Sequence, residues 1–91
     1  MHNQPSYTAS LLVLILKLAQ ITQFELANLL GTTQASVSRY ISGDQKLPSE
    51  KAELLTQIIG EHNLFLLQTF DGSMIAIGND LEKRMKTKEG D

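Results

Sequence analysis

The side chains best suited to recognising another molecule lie between Thr22 and Gly43, in the stretch TQFELANLLGTTQASVSRYISG. Arg39 carries its only guanidinium, a planar fork of donors that matches O6 and N7 of guanine with two hydrogen bonds. The amide of Gln34 can do the same for N6 and N7 of adenine. Contacts of this kind need a stiff element to present them, and the neighbouring residues encode one. Thr22 and Glu25, three apart, form a capping box that opens a helix. Phe24, Ala27, Leu29 and Leu30 supply its apolar positions, and Gly31 stands where a helix C-terminus requires φ > 0. Thr33 can cap a second helix over residues 34–41, which Gly43 closes. Two short helices, a glycine turn and the small Ala27 suit a helix-turn-helix, whose second helix lies in a DNA major groove.

Taken together, Thr22-Gln23, Glu25-Leu26-Ala27, Gly31 and Ser36-Val37-Ser38-Arg39 resemble the DNA-binding motif of the Cro and cI phage repressors and their bacterial relatives, the XRE family. The resemblance implies that Gln34, Ala35, Ser38 and Arg39 face the bases, Ala35 offering only apolar contact. It also implies that Gln23 bonds a backbone phosphate. Thr33, Ser42 and Lys46 are further phosphate candidates, and Lys17 and Lys51 are weaker ones. Such contacts set register and carry no sequence information. Relatives pair an arginine late in the first helix with a glutamate before the closing glycine; here the matching positions are Leu16 and Ile41. Replacing a buried ion pair by apolar side chains of suitable volume is often neutral or stabilising, so Leu16 and Ile41 are expected to touch.

The chain has 91 residues, enough for one small domain with a modest core. Its 8 basic and 10 acidic residues divide evenly: residues 1–62 hold four basic and five acidic groups, and residues 63–91 hold the same. Binding to a polyanion must therefore rest on the local placement of Lys17, Arg39, Lys46 and Lys51, with a weak non-specific component. The absence of cysteine excludes disulfides and thiolate metal sites. The apolar run from Leu11 to Leu16 is too short to span a bilayer and has no basic segment before it, so a cytoplasmic protein is expected; the resemblance implies a prokaryotic or phage-encoded one. No catalytic constellation emerges. His2 belongs to a polar N-terminal stretch and His62 to a helix end, the carboxylates are scattered, and neither a phosphate loop nor metal-ligand spacing is present. No cofactor is expected.

The flanking segments must position the motif. A helix from Tyr7 to about Gln20, capped by Ser6 or Thr8, is apolar nearly all round. It must be covered on every side, by the motif on one face and by the C-terminal segment or another subunit on the rest. A fourth helix is expected from Ser49 to Glu61, started by Pro48, with His62 at its C-terminal end. Beyond it, two apolar runs flank Asp71-Gly72, a strong hairpin signal. The expected strands put Leu66, Gln68, Ile75 and Ile77 on one face and Phe65, Leu67, Met74 and Ala76 on the other. Asp80 to Lys86 are expected to form one or two helical turns before a tail.

The expected fold is thus mainly α: a four-helix, lambda-repressor-like helix-turn-helix domain over residues 1–62, a C-terminal β-hairpin over 63–78 serving dimerisation, and a charged tail over 79–91. Phe65, Leu67, Met74 and Ile75 are the expected dimer interface. The expected function is sequence-specific binding of double-stranded DNA by a homodimeric transcription regulator, a repressor at a palindromic operator. Two alternatives stand beside it. One is an antitoxin that joins the motif to a strand-forming C-terminus and also binds a toxin protein. The other is a protein-interaction module that keeps the fold without binding DNA.

Overall fold

The computed structural model describes residues 7–69 and 74–86. Six helices follow one another: α1 (Ala9–Ala19), α2 (Gln23–Leu30), α3 (Gln34–Ser42), α4 (Ser49–Ile59), α5 (Glu61–Thr69) and α6 (Met74–Lys86). The first three, and the start of the fourth, appear where the sequence places them, because each of the first three carries its own end signals. Thr8 caps α1, its hydroxyl accepting from Leu11 N–H at 3.1 Å. Both halves of the Thr22–Glu25 capping box are present, at 2.8 and 3.0 Å. Gly31 ends α2 in the left-handed region at φ 67°, where any side chain would be strained. The hydroxyl of Thr33 caps α3 through Ser36 N–H at 3.1 Å.

The C-terminal third departs from expectation. Residues 61–69 and 74–86 are helical, and no strand occurs among the described residues, so the expected β-hairpin is absent. Its Asp71-Gly72 turn lies outside the described residues, as do the N-terminal residues 1–6 and the end of the chain from 87 to 91. The fourth helix stops at Ile59 rather than Glu61, because Gly60 adopts φ 93° and ψ 141° and turns the chain. His62, expected to cap that helix, stands instead in the first turn of α5, exposed. Asp80 to Lys86 form the second half of a thirteen-residue helix and not a short appendage.

Packing explains the outcome. Leu12, Ile15 and Ala19 of α1 are buried in one core with Leu26, Leu30, Val37, Leu55, Ile59, Leu64, Leu67, Leu81 and Met85. The residues expected in a separate hairpin and tail therefore belong to the same core as α2 and α3. Helix α6 makes the most extensive helix–helix contact of the molecule, with α1, and α1 also packs on α3. The demand of an apolar α1 for cover is met from within the chain, although Val13 keeps 38% exposure. At the crossing, a Cβ on Gly78 would stand 3.3 Å from the carbonyl oxygen of Leu18. That contact is tighter than most Cβ atoms make, so glycine eases the close approach of the two backbones here. Leu16 and Ile41 are both half-buried and packed against the core, on the two helices α1 and α3 that meet.

Polar bonds fasten the added helices. Asn63, buried on α5, donates from Nδ2 to Ile59 O at 2.8 Å and to Asp80 Oδ2 at 2.6 Å. Arg84 Nε donates to the same Asp80 oxygen at 2.8 Å. The Asn63 and Arg84 hydrogen bonds hold the Asp80 carboxyl below the usual carboxylate range. A lowered folded value means that this contribution to stability is present above the unfolded pKa, near 3.9, and is lost as pH falls through the folded one. Urea unfolding of wild type and Asp80→Asn at about pH 7 and about pH 3 checks it. Wild type should lose more stability over that interval than the variant. Tyr7 is tied in similarly, its hydroxyl 2.7 Å from Thr56 Oγ1. Burial pushes the Tyr7 hydroxyl above its ordinary pKa, against the opposing effect of that bond.

No single helix among the described residues is long and apolar enough to cross a membrane. The axes of α1 and α2, which together have the length, turn by 104° at their junction.

Candidate nucleic-acid interface

Helix α3 has two faces of opposite character. Val37 and Tyr40 are buried, at 0% and 6% exposure, and pin the helix to the core beneath it. Gln34, Ala35, Ser38 and Arg39 are all exposed. Their spacing of one, three and one places them on a single stripe along the helix, opposite the pinned side. All four expected base-facing residues are thus brought together on one accessible surface. Its chemistry is an amide, a methyl, a hydroxyl and a guanidinium, a set able to donate and accept at base edges.

The expected phosphate contacts are placed less uniformly. Gln23 opens α2 and is half-buried, and Lys46 is exposed in the loop leaving α3. The hydroxyl of Thr33 donates to Ser36 Oγ at 3.1 Å while accepting from Ser36 N–H. That of Ser42 donates to Arg39 O at 3.1 Å. Both hydroxyl hydrogens are therefore already engaged within the chain. The first amides of α3 still point out of the helix end, where they and the helix dipole favour an anion. Lys17 stands exposed in the last turn of α1. Lys51 serves the fold, because its ammonium reaches Gly31 O at 3.5 Å, at the C-terminal end of α2, where a cation suits the helix dipole.

Two residues of this region escape a reading by motif. Gln45 stands in a polar loop of the sequence, yet its side-chain oxygen accepts from Arg39 Nε at 3.1 Å. Its backbone N–H donates to Arg39 O at 3.2 Å. Phe24, expected to serve the apolar side of α2, is 58% exposed. It stands in the first turn of α2, on the side of the helix away from the buried Leu26 and Leu30.

The expected dimer residues separate. Leu67 is 8% exposed and lies in the chain's own core, whereas Phe65 is 56% exposed on α5. The physical reason is the helical period: as strand neighbours the two would share a face, and as helix neighbours two apart they point roughly 200° from one another. The side chains of Met74 and Ile75 lie outside the described residues. No group of three or more His, Cys, Asp or Glu side chains suited to a metal ion occurs among the described residues. Compared with known proteins, the chain matches no family model, no curated protein and no solved structure.

Proposed function

We propose that this protein binds double-stranded DNA through α3 and regulates transcription, as a homodimeric repressor of the XRE type. The observation that carries this reading is the stripe of Gln34, Ala35, Ser38 and Arg39 on a helix whose other side is anchored by Val37 and Tyr40. A stiff helix with an exposed polar face matches what a major groove admits and what base edges bind. Two copies presenting α3 about 34–36 Å apart would read successive major grooves on one face of the duplex. Occupancy of a promoter by such a dimer is sufficient for repression.

A second reading, a module that binds another protein through the same fold, draws on the acidic balance of 8 basic to 10 acidic residues. The exposed Phe24 and Phe65 also favour it. The antitoxin alternative depends on a strand-forming C-terminus, and with helices there it loses that support.

The discriminating experiment is fluorescence anisotropy on the DNA immediately upstream of the protein's own gene, with a scrambled duplex as control, in about 50 mM salt. Arg39→Ala should weaken specific binding by about 1–3 kcal/mol and relax preference at one guanine per half-site. Lys46→Ala should weaken all duplexes alike and reduce the salt slope by about one. A wild-type protein that fails to separate the upstream duplex from the scrambled one would favour the protein-binding reading.

A further inference from the structure

Arg39 is held in place before any DNA arrives. Its Nε–H donates to Gln45 Oε1 at 3.1 Å. The main chain of Gln45 returns to the same residue, its N–H donating to Arg39 O at 3.2 Å. That carbonyl also accepts the Ser42 hydroxyl at 3.1 Å, and Ser42 Oγ in turn accepts Asp44 N–H at 3.4 Å. The fold-back becomes possible at Gly43, whose φ of 88° reverses the chain after α3. Gln45 thereby grips residue 39 at both ends, by backbone and by side chain.

The grip has a chemical consequence. A guanidinium can meet the O6 and N7 acceptors of guanine along either of two edges, one formed by Nε and a terminal nitrogen, the other by the two terminal nitrogens. With Nε–H given to Gln45, only the second edge keeps both donors. A side chain otherwise rich in rotamers is then offered in one orientation, and less freedom is lost on binding.

We propose that Gln45 is a positioning residue that sets the base specificity of Arg39, occupying Nε and presenting the two terminal nitrogens to guanine. The proposal rests on the DNA-binding reading above. Gln45 touches no base in this scheme and acts through Arg39 alone.

The test is selection of a randomised duplex pool by wild type, Arg39→Ala, Gln45→Ala and the double variant, with sequencing of the bound fraction. Wild type should enrich guanine at one position per half-site. Arg39→Ala should lower that preference by between about fivefold and a hundredfold. Gln45→Ala should lower it at the same position by about two- to tenfold, leaving the other positions as in wild type. In the Arg39→Ala background it should change nothing further. A wild-type preference retained by Gln45→Ala overturns the proposal. So does a further loss in the double variant, which would show Gln45 contacting DNA by itself. Wild type enriching no sequence overturns the DNA-binding reading, and the proposal with it. In the free protein, Arg39 Nε–H exchange followed by NMR reads the grip directly: slow in wild type, fast in Gln45→Ala. Fast exchange in both removes its basis.

Discussion

Leu81→Ala should destabilise the whole domain by about 2–5 kcal/mol, the range for emptying a filled aliphatic site in a core. Leu81 is fully buried, at 0% exposure, on α6 and among residues contributed by the other helices. Set against the roughly 5–15 kcal/mol that holds a typical domain together, the loss is large. Urea unfolding should show a lower midpoint with an unchanged slope, since one cooperative core is being weakened. The neighbouring Asn79, exposed on the same helix, provides the control, and Asn79→Ala should stay within about 0.5 kcal/mol of wild type. Were residues 79–91 a solvated tail, both substitutions would be silent. Equal and negligible effects would therefore dismantle the α1–α6 core.

Gly78→Leu should be comparably damaging for the opposite reason. The Cβ of any larger residue meets the Leu18 carbonyl oxygen at 3.3 Å and Leu18 Cδ2 at 3.6 Å. The oxygen belongs to the backbone of α1 and cannot swing aside as a side chain would. A full leucine must push α6 away from α1 along the largest helix contact of the fold, at a cost of about 3 kcal/mol, the upper end for overpacking. Gly78→Ala is the informative companion. It gains about 1 kcal/mol of helix propensity and loses a similar amount to the close contact, so it should unfold near the wild-type midpoint. A leucine variant as stable as the alanine one would show that the helices are not in close apposition here.

The α2–α3 pair was legible because its signals are local. Thr22 with Glu25, Thr33 with Ser36, and Gly31 past the end of α2 each act within one turn of chain. Their chemistry is the same whatever surrounds them. The exposed stripe on α3 followed from that register. The C-terminal third carries no such local statement. Leu64, Phe65, Leu66 and Leu67 form an unbroken apolar run that fits a buried strand or a helix equally well, and Asp71-Gly72 tips the balance toward a hairpin. What decides for helix is distant: the apolar face of α1 that α6 covers, and the Asn63–Asp80 bond between α5 and α6. Tertiary packing set the helical outcome of the two flanking runs. Gln45 was illegible for a related reason, since its partner Arg39 lies six residues back across a reversal that only the φ of Gly43 makes possible.

The pairing of α1 with α6 also shapes how the molecule reaches its fold. Its most extensive contact joins residues 9–19 to residues 74–86, while the α2–α3 pair is joined by a three-residue turn. Closing the longer loop costs more chain entropy and contributes strongly to contact order, so the central helices can assemble while the outer two are still apart. During synthesis the leucine-rich face of α1 leaves the ribosome long before its cover does. Until α6 emerges, that face must be sheltered by transient collapse or by a chaperone. A chain interrupted within α6 should consequently be recovered as aggregate, although every residue of the exposed α3 stripe is already in it.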